Sequence, residues 1–320
     1  MPTKTPIFLS VKSADDFREL LDPLKITSET IVIKPNWFST HKGNFTEAEV
    51  LSAVLSALPA NAYKLVVEGY SGFRNDGSRR INLKDQRSDW EWIREQDGWF
   101  RETFGITEVL AEHGAKYLSV TEEVWSGRTA PADEVSALVE KKTSSKKKAE
   151  PLAHKELYEQ VPMRLWELAG ATLISLTKIK GGLSLSLKNL FGMVPEPLRL
   201  SYHGEDSADL PQSIADIARI YLTLFNVVGV CEAVFSTAVY NEKGALTTNW
   251  GSYDLVESAG IACAGRDPLT LDAAISAILG EKPKKLRYLQ KLGKSYGSYD
   301  QKAVTAAVKQ YSDLFAPLKR

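Results

Sequence analysis

Short apolar runs alternate with segments of helical period from one end of the chain to the other, the pattern of a parallel sheet covered by helices. Ile7 to Val11 reads as a strand, and Ser13-Ala14-Asp15-Asp16 then supplies an N-cap serine and an acidic first turn before the apolar positions Phe17, Leu20 and Leu21. Thr30 to Lys34 is a second strand, stopped by Pro35. After a polar loop, Thr46-Glu47-Ala48-Glu49 predicts a capping box that opens an amphipathic helix through about Leu58. Leu65-Val66-Val67 is a third strand, ending at Glu68-Gly69. Tyr70 to Phe100, rich in Arg, Asp, Gly and Trp, is expected to be a long excursion with a short helix around Trp90 to Arg94, its tryptophans Trp90, Trp92 and Trp99 forming a small satellite core or a lid. Helix Ile106 to His113 and strand Tyr117 to Val120 follow.

The rhythm returns with strand Thr172 to Leu176, a short helix Leu185 to Phe191, a longer helix Pro211 to Phe225, a buried strand Val227 to Val234, strand Gly260 to Ala264 and helix Asp267 to Leu279. The expectation is an α/β fold with a mostly parallel sheet flanked by helices in three layers. It carries a helical and loop insertion around 70–105 and a helical C-terminal tail, 282–320, within one domain spanning 1–320.

Composition narrows the function classes. The 40 basic and 40 acidic side chains among 320 residues cancel, which argues against a dedicated nucleic-acid binder. The run Lys141-Lys142-Thr143-Ser144-Ser145-Lys146-Lys147-Lys148 is the one low-complexity stretch, and a basic flexible loop at about 140–150 is expected, with a phosphate or nucleic-acid contact as the other reading. Cys231 and Cys263 are too few for a disulfide scaffold, a zinc ribbon or an iron-sulfur cluster, so a reducing cytoplasm fits best. Met1-Pro2-Thr3-Lys4 lacks the apolar core of a signal peptide, and no run approaches the ~20 apolar residues of a membrane span, so no membrane partner is expected. Phosphate loops, dinucleotide fingerprints, zinc-protease helices and nucleophile elbows are all missing, which removes support from kinases, standard nicotinamide enzymes, zincins and α/β-hydrolases.

Several strings fall at the ends of the expected strands: Ile33-Lys34-Pro35-Asn36, Glu68-Gly69-Tyr70-Ser71-Gly72, Leu173 to Lys180 with its Lys-x-Lys ending, Lys188-Asn189-Leu190-Phe191-Gly192, His203, Ile214-Ala215-Asp216-Ile217 and Asp267 to Asp272. In their order and content they resemble the family catalogued as domain of unknown function 362, over about residues 28 to 281. The resemblance implies a cytoplasmic α/β protein of prokaryotic type and no settled reaction. Some members carry ferredoxin-like cysteine clusters that this sequence lacks, so iron-sulfur chemistry does not carry over. Where the family often has a histidine after the second lysine this chain has Gly181-Gly182, and where the family tends to show Asp-Gly it has Cys231-Glu232.

In open α/β sheets ligands bind beyond the carboxyl ends of the strands. That rule gathers Lys34, Asn36, Glu68, Lys178, Lys180, Glu232 and Asp267 at one rim. Lys178 and Lys180, two apart on an extended segment, point to the same side and repel unless an anion lies between them. The start of the helix at Lys188-Asn189, after Gly181-Gly182 and Ser184, offers backbone N–H groups for a carboxylate or phosphate. The lysines are alternatively surface residues paired with nearby carboxylates, or one of them has a depressed pKa and serves as base or nucleophile. His203, with Glu205 and Asp206 beside it, is a candidate proton carrier and leaves a divalent metal open. His41 lies in the loop beyond Lys34. Asp267 reads as a helix N-cap, and Asp272 as an outer supporting or solvated group.

The combined expectation is an enzyme acting on a small anionic metabolite held by Lys34, Asn36, Lys178, Lys180, Lys188 and Asn189, with His203, Glu68 or Glu232 moving protons in an isomerase- or lyase-type step. The alternative is a non-catalytic metal or cofactor carrier serving a redox partner protein. Homo-oligomerisation stays open.

Overall fold

The computed structural model describes residues 5–79, 81–82, 85–143, 151–180 and 185–319. The strands are β1 (Ile7–Ser10), β2 (Thr30–Lys34), β3 (Tyr63–Glu68), β4 (Lys116–Ser119), β5 (Thr172–Lys178), β6 (Asn226–Ala233), β7 (Ser236–Tyr240), β8 (Leu246–Thr248), β9 (Gly251–Glu257) and β10 (Ile261–Gly265). The helices are α1 (Ala14–Leu21), α2 (Ala48–Ala57), α3 (Trp90–Thr103), α4 (Ile106–Glu112), α5 (Val120–Trp125), α6 (Ala132–Thr143), α7 (Met163–Glu167), α8 (Ser186–Asn189), α9 (Leu198–Ser201), α10 (Leu210–Leu224), α11 (Pro268–Ile278), α12 (Arg287–Tyr296) and α13 (Gln301–Tyr311). Most of the basic run and the segment with Gly181-Gly182 and Ser184 fall on 144–150 and 181–184, outside the described residues.

Seven strands form one sheet in the order β1-β10-β6-β5-β2-β3-β4. The pairs β6·β5, β5·β2, β2·β3 and β3·β4 are parallel, whereas β10 runs antiparallel to both β6 and β1. Period-two alternation sorts each strand between two cores. Val32, Leu65, Val67 and Leu173 face α6, α10, α11, α12 and α13, while Ile31, Ile33, Val66, Ile174 and Leu176 face α1, α2 and α4. This is the expected α/β architecture, a mostly parallel sheet with helices on both faces and a helical C-terminal segment.

Four expectations about local structure need correction. The excursion after β3 carries a full 14-residue helix, α3, rather than a short one, because its polar Gln96 and Asp97 are buried by partners from Asp76 and Arg74 instead of breaking it. Its tryptophans divide: Trp90 and Trp92 pack with Tyr70, Ile93 and Trp125, whereas Trp99 lies against the main core. The Thr46 capping box is absent. Thr46 Oγ1 accepts the Asn36 N–H at 3.0 Å instead, and Glu47 itself sits at the N-cap of α2. The segment after β6, for which the apolar pattern predicts no element, forms a small antiparallel sheet in the order β7-β9-β8, its mixture of Thr, Tyr, Asn and Trp giving no clean apolar run. Lastly, Asp267 does cap α11, accepting from Leu269 and Thr270 at 3.1 and 3.2 Å, but at the opposite rim, because antiparallel β10 ends beside the start of β6. Among the described residues, no helix is long and apolar enough to cross a membrane.

Candidate functional site

From β2 the chain steps outward to β3 and β4, and from β5 it steps the other way to β6, so the topological switch point lies between β2 and β5. Loops diverge there and leave a crevice at the carboxyl ends. Lys34 ends β2 at this point, fully buried, with Nζ 2.8 and 2.9 Å from the two oxygens of Glu68 at the end of β3. Glu68 also accepts the N–H groups of Trp37 and Gly69, each at 3.0 Å. Burial depresses the Lys34 ammonium despite this partner.

Lys178 ends β5 and is equally buried, 2.7 Å from Glu232 of β6 and paired also with Glu47. Glu47 reaches it because α2 starts beside this rim, and its other oxygen accepts from Ser236. One ammonium thus serves two carboxylates. Burial pushes the Glu232 carboxyl up to about 7, with Lys178 opposing and Glu47 adding to the rise. Lys34 and Lys178 are thus each neutralised by carboxylates of the protein itself. Glu47 had no visible sequence signal beyond its place in a loop past the switch-point strand, where it read as a helix-capping residue.

Two further cations differ. Lys180 lies two residues beyond the end of β5, and its half-buried side chain donates to the Asn44 main-chain carbonyl at 3.1 Å. Lys188, in α8, is half-buried too. Among the described residues neither has a carboxylate partner, whereas Lys34, Lys178, Arg74 (with Asp97) and Arg199 (with Glu196) each have one. Burial, and after it the charges of Lys188, Lys178 and Lys34, pulls the Lys180 ammonium down to about 7. Burial also lowers Lys188. The His203 ring lies tilted against Phe191, centroids 5.5 Å apart, and burial with the charges of Lys188 and Arg199 lowers its imidazole.

The short helix that carries Lys188 is held from behind. Buried Asp272 accepts the Ser186 N–H at 3.0 Å, the Ser186 hydroxyl at 2.6 Å, the Leu187 N–H at 3.1 Å and the Tyr288 hydroxyl at 3.0 Å. It takes the free amides that a helix start offers, so the expected anion cradle of backbone N–H groups at Ser186 and Leu187 is already filled by this carboxylate. Burial raises Asp272 to about 6. Asn189 spends its amide on Lys34 O, Ser175 Oγ and Leu176 O at 3.0 to 3.3 Å, which ties α8 across β2 and β5. The glycine that closes this turn, Gly192, is needed for close approach: a Cβ there would lie 2.9 Å from Lys34 Nζ, and one on Gly69 would lie 2.4 Å from Gly192 O. Asn36 keeps one buried side-chain oxygen without a partner.

The structure therefore brings Lys34, Asn36, Glu68, Lys178, Lys180, Glu232 and Asn189 to one rim, with Lys188 and His203 beside it. Among the described residues, no three His, Cys, Asp or Glu side chains converge as a metal ion would require. A family model described as a domain of unknown function (DUF362) matches residues 31–277. No curated protein and no solved structure matches the chain.

Proposed function

Since the chain belongs to the DUF362 family, whose function is unknown, we propose from its own residues that the switch-point rim binds a small anionic metabolite, a carboxylate or phosphate, and moves a proton on it in an isomerase- or lyase-type step. The observation that carries this reading is the pair Lys180 and Lys188, cations at a partly buried rim that have no carboxylate partner among the described residues, whereas Lys34, Lys178, Arg74 and Arg199 nearby each have one. Partly buried ammonium groups left in this way favour an incoming anion. Lys34, Glu68, Lys178, Glu47 and Glu232 then act by fixing the frame and the field, and Asn189 by tying α8 to it. Lys180, half-charged near pH 7, and His203 are the groups proposed to take and return a proton.

Thermal unfolding with inorganic phosphate, malonate and related anions tests this. An anion at about a hundred times its dissociation constant should add about 2.7 kcal/mol of stability. The effect should weaken as pH rises through 7, because the bound anion favours charged Lys180 and must then recruit a proton that the free protein has lost. No shift with any anion, or a shift indifferent to pH between 6 and 8, would count against the reading.

A further inference from the structure

An aromatic corner adjoins Lys180 at the same rim. Phe38 follows β2, Phe73 follows β3 and Trp250 lies between β8 and β9, with ring centroids 4.9 Å apart for Phe38–Trp250 and Phe73–Trp250 and 5.3 Å for Phe38–Phe73. Three separate segments thus bring rings together outside the main cores. All three are half-buried, unlike the sealed Trp37 and Phe100 just below.

The corner is fixed to the cation by a chain of hydrogen bonds. Trp250 Nε1 donates to the Tyr240 hydroxyl at 2.6 Å, that hydroxyl donates to Asn44 Oδ1 at 2.6 Å, and the Asn44 carbonyl accepts from Lys180. With its N–H satisfied inside the protein, the indole presents only apolar ring to a ligand. Lys180 Nζ lies 5.7 Å from the Phe38 centroid, so an anion seated on Lys180 has Phe38 for its neighbour. His41 packs edge-on to Trp250 at 5.5 Å, and its buried Nδ1 has no partner, which leaves one hydrogen-bonding atom unmet at the corner.

Resting on the anion-site reading above, we infer that the ligand is a small anion bearing a flat aromatic ring, with its charge on Lys180 and Lys188 and its ring against Phe38 and Trp250. Aromatic faces and edges prefer another aromatic partner over an equally apolar saturated one, because the ring quadrupoles align edge to face. A small aliphatic anion would satisfy the lysines and leave the corner uncovered.

Calorimetric titration with inorganic phosphate, methyl phosphate, cyclohexyl phosphate and phenyl phosphate separates the possibilities. Phenyl phosphate should bind about tenfold or more tighter than methyl phosphate, with cyclohexyl phosphate between them. In Phe38→Leu/Trp250→Leu protein, shown folded by circular dichroism, the phenyl-to-methyl ratio should fall toward one. Equal affinity for phenyl and methyl phosphate, or for phenyl and cyclohexyl phosphate, overturns the aromatic assignment while leaving the anion site standing. Failure of all four, inorganic phosphate included, overturns the anion site and the ring assignment together.

Discussion

Glu68→Ala is expected to remove about 3–5 kcal/mol of folding stability, because it strands a buried ammonium. The carboxylate meets Lys34 at 2.8 Å and also accepts two backbone N–H groups, so its loss leaves the buried ammonium with only neutral acceptors, Pro35 O and Asn189 Oδ1, and leaves two buried amides unpaired. Each orphaned amide adds about 1–3 kcal/mol if no water replaces the carboxylate. A domain of this kind has about 5–15 kcal/mol in total, so the variant should sit close to unfolding. The cost should shrink as pH rises. The unfolded chain keeps Lys34 protonated up to about 10.4, whereas the folded variant, having lost the partner that supports the charge, releases the proton at lower pH. Over that window the unfolded state binds more protons, and stability climbs relative to wild type. Urea denaturation at several pH values measures this. Lys34→Met/Glu68→Leu should recover the part of the loss that the stranded charge causes, while the Trp37 and Gly69 N–H groups stay orphaned. A cost under about 1 kcal/mol for Glu68→Ala would mean that the pair is not buried in solution.

Lys180→Ala/Lys188→Ala should behave in the opposite way. Neither ammonium has a carboxylate partner among the described residues, and the two repel. Their removal is therefore expected to leave the urea midpoint unchanged or raised, with only the Asn44 carbonyl losing a donor. Anion binding should weaken by about 2–5 kcal/mol, roughly thirtyfold or more in dissociation constant. A site that costs stability when empty and contributes affinity when filled is the usual trade between function and fold. If the double variant bound phosphate as tightly as wild type, the anion would have to be held elsewhere. If it unfolded as readily as Glu68→Ala, the two lysines would be structural.

Much of this frame was legible from the residues. Period-two apolar runs ended at Lys34, Glu68 and Lys178, and the rule that crevices open at carboxyl ends placed those residues together. The rule failed for Asp267, because strand direction does not appear in the apolar pattern and β10 runs backwards. Pairing was also invisible. Lys34 and Lys180 look alike in sequence, yet the first faces a carboxylate contributed by the neighbouring strand and the second faces a backbone carbonyl. Glu47 was hidden by a second valid reading, since a threonine and glutamate before a helix suggest capping whether or not they cap. The aromatic corner draws Phe38 and Phe73 from loops and Trp250 from the β8–β9 turn of the small sheet, and none of the three segments carries a simple period. For Asp272 the sequence left an outer supporting role and a solvated one open, and only the donors from Ser186, Leu187 and Tyr288 around it decide for the first.

The proposed anion site depends on the charge of one ammonium, and that charge is directly observable. Protein with isotopically labelled lysine side chains, assigned through Lys180→Arg, reports the Lys180 titration by NMR with and without phosphate. The expected result is a midpoint of about 7 in the free protein, moving upward when phosphate binds because the anion favours the charged form. A midpoint near the ordinary value of about 10.4, unmoved by phosphate, would contradict both the unneutralised cation pair and the function proposed for it.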